Sequence, residues 1–320
     1  MMDEAERAEL ERTIRHAIRT HPASAFDAAL VELGWRDALT VDTRAAVSIL
    51  FELLGFELAS STALAHLLAW RLGLEVPSST AFVLPQLGRS CPPGDLKDGS
   101  LAISGLGVEA FAAHQSALVI AQAGDTEVTA LVPIADLSLR PVRGIDPEFG
   151  LVEVTGSMTN VGQAEMALQP WSVALATARL AVGHELVGAA RKMLELARLH
   201  ALERVQFGHP IGTFQAVRHR LADTLVAIES ADAVLDAAWE AISPTAAGVA
   251  KALAGRAART ASRHCQQVLA GIGFTTEHEF HRYARRVFVL DQLLGDSRTL
   301  TREFGSELLT TGRLPEFAPL

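Results

Sequence analysis

The stretch from Ala201 to Gln215 carries the residue types best suited to bind a phosphate-containing ligand. Arg204 offers a planar cation that matches a phosphate group, and Phe207 adds an aromatic face three residues later. A Gly-His-Pro-Ile-Gly turn follows at 208–212. The pattern predicts a helix, a tight loop and a second helix, with Arg204 either on a phosphate or in an ion pair with a neighbouring carboxylate.

A second segment, at 266–277, is rich in glycine and reads Gln-Gln-Val-Leu-Ala-Gly-Ile-Gly-Phe-Thr-Thr-Glu. The first stretch reads Arg-x-x-Phe-Gly-x-Pro-Ile-x-x-Phe-Gln from residue 204 onwards. Together the two segments resemble the signatures of the acyl-CoA dehydrogenase family. Arg285 falls where that family carries an arginine after its glycine-rich segment.

The resemblance implies an FAD cofactor at a subunit interface, with both segments supplied by the chain opposite the one that holds the flavin ring. It places Arg204 and Gln206 at the pyrophosphate and Phe207 beside the cofactor. The residues implied at the adenosine end are Gln267, Val268 and Gly271. The chemistry agrees, because a guanidinium forms paired, charge-assisted hydrogen bonds to a diphosphate and glycine lets the backbone approach closely.

The flavin-facing half of the family's site differs in this chain. Where the family has a Thr-Glu-Pro-x-Ala-Gly-Ser-Asp type of loop, residues 84–91 read Leu-Pro-Gln-Leu-Gly-Arg-Ser-Cys. Where the family places a hydrophobic-Ile-Thr contact to the flavin ring, residues 110–114 read Ala-Phe-Ala-Ala-His. Both changes remove hydrogen-bond donors that would face the flavin.

The catalytic base is a second difference. Removing an α-proton from an acyl thioester near neutral pH requires a carboxylate in an apolar pocket. The family's two positions for that carboxylate correspond to Leu294 and Ala178, and neither side chain takes a proton. Asp291 and Asp296 lie near the first position, so a shifted alignment would make one of them the base; otherwise each is expected to face solvent at a helix end. The sequence therefore predicts no catalytic residue in this chain.

These features predict a subunit of an FAD-dependent acyl-CoA dehydrogenase that supplies part of the FAD site and of the oligomer interface. The resemblance implies a larger partner subunit that binds most of the acyl-CoA, as in α2β2 heterotetramers known for degrading bulky substrates such as steroid side chains. Two alternatives remain open. One is a homo-oligomeric dehydrogenase whose base is Asp296 or Asp291, and the other is a homologue that lost redox chemistry and serves as a scaffold or binding module.

Composition limits the class of protein further. The net charge of −9 and the absence of a basic stripe argue against nucleic-acid binding. The hydrophobic fraction of 49% indicates an oligomer interface, because no run reaches the ~18 apolar residues of a membrane-spanning helix. Only Cys91 and Cys265 occur, which fits a reducing compartment and excludes a cysteine-built metal site. The charged N-terminus shows no secretory signal, so the sequence predicts a cytoplasmic protein with no membrane attachment.

Periodicity divides the chain into three parts. Residues 1–79 are helical in character, with helical spacing at 3–21 and 43–73 and a plausible helix N-cap at Asp42. Turn-rich sequence with short apolar or alternating runs at 101–104, 117–122, 127–134 and 151–155 fills residues 80–165. Helical periodicity then returns over 166–320, with breaks at 207–212, 243–245 and 271–275.

The predicted fold class is mainly α with a central β-domain, arranged as in acyl-CoA dehydrogenases. An N-terminal helical domain (1–79), a small β-barrel or β-sheet domain (80–165) and a C-terminal four-helix bundle (166–320) are expected. Two polar clusters receive structural interpretations: His184-Glu185 as an ordinary pair on a helix, and Glu277-His-Glu-Phe-His281 as a polar helix start, since its spacing matches neither a zinc nor a di-iron site.

Overall fold

The structure is a computed structural model that describes residues 1–75, 77, 80–159, 165–166 and 168–312. The first part is helical, and its helices are α1 (Glu4–Thr20), α2 (Ala23–Glu32), α3 (Trp35–Val41), α4 (Thr43–Glu57) and α5 (Ala63–Arg71). Asp42 is the N-cap of α4, as predicted, and its carboxylate accepts a hydrogen bond from the Ala45 N–H at 3.0 Å. Helices α2 and α3 escaped the prediction because, at 10 and 7 residues, they are too short to establish a periodicity.

The second part is a sheet of nine strands among the described residues. These are β1 (Thr80–Phe82), β2 (Leu84–Pro85), β3 (Gly94–Lys97), β4 (Ser100–Val108), β5 (Ser116–Ala123), β6 (Thr126–Pro133), β7 (Ser138–Pro141), β8 (Leu151–Thr159) and β9 (Glu165–Met166). The main strand order is β7-β8-β4-β3-β5-β6-β9, with β1 added parallel to β5 and β2 antiparallel to β4. The apolar runs predicted as strands lie on β4, β5, β6 and β8, and their inward side chains form a separate β core.

The third part is a helical bundle, as predicted. Its helices are α6 (Trp171–Glu203), α7 (Gln215–Glu240), α8 (Pro244–Leu269), α9 (Phe280–Gln292) and α10 (Ser297–Thr311). A two-strand hairpin of β10 (Val205–Gln206) and β11 (His209–Pro210) joins α6 to α7. Helix α6 is long and apolar enough to cross a membrane, but 94% of its most apolar window is buried inside the protein, as expected for the core helix of a bundle.

The N-terminal helices and the bundle share one hydrophobic core. Helices α4 and α6 cross so closely that their backbones touch through two glycines. A Cβ atom at Gly55 would lie 1.9 Å from the Glu185 carbonyl oxygen, and one at Gly188 would lie 2.0 Å from the Glu52 carbonyl oxygen. Any larger residue would force the helices apart, so these glycines fix the N-terminal helices on the bundle.

The domain boundaries at residues 79 and 165 stay a prediction.

Candidate functional site

The segment that carries Arg204 is a projecting β-hairpin rather than a plain loop. The antiparallel register of β10 and β11 leaves Phe207 and Gly208 as its two turn residues. Their φ angles are +53° and +81°, the left-handed values that the tightest hairpin turns require. Glycine adopts such values readily, whereas a bulky residue such as phenylalanine does so at a cost. Strain of this kind concentrates at functional sites, so the turn is a candidate for binding.

Phe207 is also the most exposed aromatic residue of this segment, with 89% of its surface accessible. Its ring meets that of Phe214 edge-on, with ring centroids 6.2 Å apart. Two aromatic rings are thus held at the surface by a strained turn and by the start of α7. An exposed apolar group in a fixed geometry indicates a surface that a ligand or another chain covers.

Arg204 lies at the base of the hairpin with its side chain exposed. Its backbone is fixed on both sides, because its N–H donates to the His200 carbonyl at 2.8 Å and its carbonyl accepts from the Ile211 N–H at 2.8 Å. The Arg204 guanidinium makes no hydrogen bond or ion pair with any residue in the described ranges. The carboxylate partner considered in the sequence is therefore not found within this part of the chain, and the cation stays available for an anion. Gln206, also exposed, only folds back on the Val205 carbonyl at 2.8 Å.

The glycine-rich segment lies near the same end of the bundle. His200, one turn before Arg204, has a lowered pKa because of its burial and then because of the nearby charges of His278 and Arg204. The hairpin base and the start of α9, which directly follows the glycine-rich segment, are therefore neighbours. The polar stretch around His278 is a helix start, as predicted, since its Nδ1 accepts the Phe280 N–H at 3.1 Å.

Within the glycine-rich segment the predicted contacts differ in accessibility. Gln267 and Gly271 are exposed, and a Cβ atom on Gly271 would meet nothing within 4 Å. Val268 is 6% exposed and belongs to the helical core. Its side chain therefore faces the bundle, and any contact with a cofactor falls to its backbone.

A hydrogen bond joins the two segments that carry the positions predicted for a catalytic base. Arg179, which follows Ala178, donates from Nε to the Leu294 carbonyl at 3.1 Å. Ala178 is fully buried, and Leu294 is 1% exposed. The backbone at Leu294 has a φ of +59°, and Gly295 continues the left-handed turn at +100°. Neither position therefore carries a carboxylate, and both side chains are closed to solvent.

Asp291 does not face solvent, so that expectation was wrong. The side chain is completely buried and accepts hydrogen bonds from Ser297, through its N–H and its hydroxyl, both at 3.2 Å. An ion pair with Arg259 at 2.6 Å completes its surroundings. Gly255 provides the space, because a Cβ atom there would lie 2.1 Å from the carboxylate. The sequence could not show that α8 places both the Arg259 cation and the space beside Gly255 next to Asp291.

Asp296 caps helix α10. Its carboxylate accepts from the N–H groups of Arg298 at 3.0 Å and Thr299 at 3.1 Å. Partial burial of Asp296 raises the pKa of its carboxyl, but the hydrogen bonds lower it by more, so the pKa lies below its usual value. A capped carboxylate with a lowered pKa is a weaker base than a free one.

A buried lysine that the sequence analysis missed holds this turn in place. Lys251 of α8 donates from Nζ to the carbonyls of Asp291, at 3.0 Å, and Gly295, at 2.6 Å. Burial lowers its pKa to about 7. The only signal in the sequence is a single lysine in the otherwise small and apolar stretch of α8 from 246 to 255.

The loop that replaces the family's flavin-binding loop is fastened directly to the bundle. The Gly88 N–H donates to the Gln292 carbonyl at 2.8 Å, two residues before Leu294. At its other end, the Trp171 indole N–H donates to the Ser90 carbonyl at 2.7 Å. The backbone of this loop therefore rests on the end of α9, beside the place where the resemblance puts the flavin ring.

The second segment that differs from the family's flavin contacts, residues 110–114, also has a side chain packed inside the protein. Residues 110–114 lie at a 3-10 turn, and Phe111 turns into the β core with 1% of its surface exposed. A Cβ atom at Gly107 would lie 2.4 Å from the Phe111 ring, so this packing depends on that glycine. The Phe111 ring is therefore unavailable to a flavin, whereas Arg204 and Gly271 are exposed and open to a ligand.

His184 and Glu185 lie on helix α6, as predicted. Both are buried, and His184 Nε2 accepts from the Trp239 indole N–H at 3.0 Å. Burial lowers the pKa of His184 to about 4 and raises that of Glu185 to about 7, with the charge of Arg286 opposing the second shift.

The shift at Glu185 predicts a specific pH dependence. Between its usual value of 4.5 and its folded value of about 7, the native state retains a proton that the unfolded chain has lost. Stability from this group is therefore fully present below pH 4.5 and declines as the pH rises through about 7. We expect Glu185→Gln to remove this decline, on the order of 2 kcal/mol. Urea unfolding at pH 5 and pH 8 measures it, with exposed Glu32→Gln as control; a decline of the same size in both variants would contradict the assignment.

The comparisons with known proteins place the chain in a family. The C-terminal domain model of acyl-CoA dehydrogenases matches residues 171–308. Acyl-CoA dehydrogenase IpdE2 of Mycobacterium tuberculosis is 33% identical over 253 residues, covering 72% of this chain and 78% of that protein. The chain belongs to the acyl-CoA dehydrogenase family. IpdE2 of Mycolicibacterium smegmatis is similar over a shorter stretch, with 38% identity across 132 residues, 41% of this chain and 42% of that protein.

Solved structures confirm the predicted fold class. A variant of the Tcur3481-Tcur3483 steroid ACAD superposes with a TM-score of 0.78 at 21% identity, covering 96% of this chain and 98% of that one. The ChsE4-ChsE5 complex of Mycobacterium tuberculosis gives 0.72 at 19% identity and 99% coverage of both chains. A glutaryl-CoA dehydrogenase of Mycobacterium smegmatis, solved in complex with FADH2, gives 0.69 at 15% identity, covering 98% of this chain and 96% of that chain.

Proposed function

We propose that this chain is the non-catalytic subunit of a hetero-oligomeric, FAD-dependent acyl-CoA dehydrogenase. It supplies the phosphate and adenosine half of an FAD site to a larger subunit, and that partner holds the flavin ring, the base and most of the acyl-CoA. When bound, FAD supplies the oxidising power for α,β-dehydrogenation of the acyl thioester. The chain acts in the cytoplasm and attaches neither to membranes nor to nucleic acid.

The proposal depends on a contrast between the two halves of the FAD site, the phosphate and adenosine half and the flavin-ring half. Arg204 is exposed, its backbone is fixed by two hydrogen bonds, and its guanidinium has no carboxylate partner among the described residues. Phe207 is exposed on a strained turn. The ring half, in contrast, has Leu294 and Ala178 at the base positions, and the loop at 84–91 rests on the bundle. A chain that presents one half of a site and has closed the other fits a partner that provides the missing half.

The roles of the residues follow from their positions. Arg204 binds the pyrophosphate through charge-assisted hydrogen bonds, with the exposed Gln206 amide beside it. Phe207 packs on the cofactor and excludes water from these hydrogen bonds. Gln267, the Val268 backbone and Gly271 line the adenosine end.

Exposed apolar side chains near the hairpin and along α7 support a large subunit interface. They are Leu199, Leu202, Leu225, Val226 and Phe274. Obligate interfaces of this kind typically bury more than ~2,000 Å². Two of the similar structures are described as two-component assemblies, and one of them as a steroid ACAD, which supports a partner subunit and a bulky, steroid-like acyl group as the substrate class.

The test concerns Asp296, the carboxylate next to Leu294 that remains a candidate base for a homo-oligomeric dehydrogenase. We expect Asp296→Asn to leave turnover of the complex within a few-fold, because asparagine caps a helix as well as aspartate does. Removing a true general base costs about 10²-fold or more. Asp3→Asn, at the N-cap of α1, is the matched control. A collapse of steady-state acyl-CoA oxidation in Asp296→Asn alone would identify Asp296 as the base and refute the proposal.

A further inference from the structure

A pocket of about 490 Å³ opens between helices α3 and α5, and we call it the α3–α5 pocket. Its floor is apolar and closed to solvent, because Trp35, Leu39 and Ala69 are only 2%, 1% and 3% exposed. The Trp35 indole N–H already donates to the Ala46 carbonyl at 3.0 Å, so this ring presents an apolar surface to the pocket. An apolar lining with a few polar groups that fix orientation is typical of small-molecule sites.

Two opposite charges line the α3–α5 pocket, and neither is neutralised in the described part of the chain. Arg36 and Glu75 are exposed and make no hydrogen bond or ion pair with any described residue. Burial lowers the pKa of His66, and the charge of Arg36 lowers it further, with Asp27 opposing. Arg36 therefore lies near His66, in the first half of α5, whereas Glu75 lies beyond the C-terminal end of that helix.

Trp70 of α5 provides an aromatic wall between these two ends. Its side chain is partly buried, and its indole N–H has no acceptor among the described residues. Tryptophan offers a large flat surface to an apolar ring, and its N–H usually finds an acceptor when it is buried. A ligand with a ring-shaped body would cover this surface.

The two charges favour a ligand with a single anionic group. The guanidinium of Arg36 matches the planar geometry of a carboxylate and pairs with it through charge-assisted hydrogen bonds. A second anionic group at the other end of the ligand would approach Glu75 and be repelled. The charge pattern therefore favours a monocarboxylate over a dicarboxylate.

The α3–α5 pocket is separate from the FAD half-site. Arg71 of α5 faces α6, where its Nε donates to the Thr177 hydroxyl at 3.2 Å. Trp70, one position earlier, points about 100° away round the helix, so the pocket opens on another side of α5. Thr177 lies in the second turn of α6, and Arg204 caps the other end, about 40 Å away along the helix axis.

We propose that the α3–α5 pocket binds a small monocarboxylic acid with an aromatic or alicyclic body. Its carboxylate pairs with Arg36, and its ring lies between Trp70 and the floor formed by Trp35 and Leu39. The inference goes beyond the proposed function and does not depend on it.

Calorimetric titration of the chain with sodium 2-naphthoate tests the proposal. We expect saturable binding that weakens by about tenfold or more in Arg36→Gln, because a hydrogen bond to a charged group is lost. The uncharged 2-naphthamide keeps the ring, so it should bind more weakly than 2-naphthoate and should not respond to Arg36→Gln. Arg12→Gln removes the same charge from exposed α1 and should bind 2-naphthoate as the unmodified chain does.

Two further arms test the wall and the charge at the other end. Trp70→Ala should weaken the binding of both 2-naphthoate and 2-naphthamide, and naphthalene-2,6-dicarboxylate should bind more weakly than 2-naphthoate. Thermal unfolding checks that each variant folds.

Any of four results would overturn the proposal: no saturable binding of 2-naphthoate, equal affinity in Arg36→Gln and the unmodified chain, unchanged affinity in Trp70→Ala, or a dicarboxylate that binds as tightly as 2-naphthoate. Failure here leaves the proposed function untouched, because that function is measured by the FAD content of the complex and its dependence on Arg204.

Discussion

Asp291→Ala is expected to lower the free energy of unfolding by about 3 kcal/mol, because each buried hydrogen-bonding group that is left unpaired costs about 1–3 kcal/mol. The carboxylate is fully buried and joins α9, α8 and the start of α10 through Arg259 and Ser297. Its loss leaves the Ser297 N–H and hydroxyl without an acceptor. It also loosens the turn that Lys251 holds through the Asp291 and Gly295 carbonyls. Equilibrium unfolding in urea measures the change.

The neighbouring aspartate provides the control. Asp296→Ala removes only a helix cap and should cost about 1 kcal/mol. If the free energy of unfolding of Asp291→Ala lies within about 1 kcal/mol of that of the unmodified chain, the contacts of Asp291 with Arg259 and Ser297 do not hold the turn at Leu294. Because Asp291 is structural, loss of activity in an Asp291 variant would not identify a base, and Asp296 is the cleaner residue for that test.

Arg204→Ala is expected to weaken FAD binding by the complex about ten- to hundredfold while leaving the fold intact. Losing hydrogen bonds to a charged group costs roughly 1.5–3 kcal/mol each. The side chain is exposed and makes no hydrogen bond or ion pair with the described residues, so its removal should not disturb the bundle. Fluorescence titration of the apo complex with FAD measures the affinity, and thermal unfolding of the chain checks the fold.

Exposed Arg12→Ala serves as the matched control, because it removes an arginine from α1 far along the chain. Unchanged FAD affinity in Arg204→Ala would assign this arginine no role in cofactor binding. Phe207→Gly separates the ring from the turn, since glycine relieves the strain at a φ of +53° while it removes the aromatic face.

The parts of the fold that were predictable are those in which a local pattern determines the outcome. The Asp42 cap, the four apolar strand runs and the breaks between the long helices follow from side-chain chemistry and periodicity over short windows. The two signature segments were found for the same reason, because each is contiguous in sequence.

The features that escaped prediction depend on contacts between distant segments. The sequence shows Lys251 and Asp291 as isolated charges, but the fold buries both at one turn. Likewise, nothing local indicates that Gly88 rests on Gln292 or that Val268 faces the core. The hairpin turn is a different case, because phenylalanine in a left-handed conformation contradicts local propensity and only the pairing of β10 with β11 enforces it.

The central claim is that this chain completes the site of another chain and has no complete site of its own. The most direct measurement is the flavin absorbance near 450 nm and the acyl-CoA oxidation rate of the purified chain, alone and mixed with a larger acyl-CoA dehydrogenase subunit. The proposal predicts one FAD per pair of unlike chains and turnover only in the mixture. A homo-oligomer of this chain that retains FAD and oxidises an acyl-CoA would contradict it.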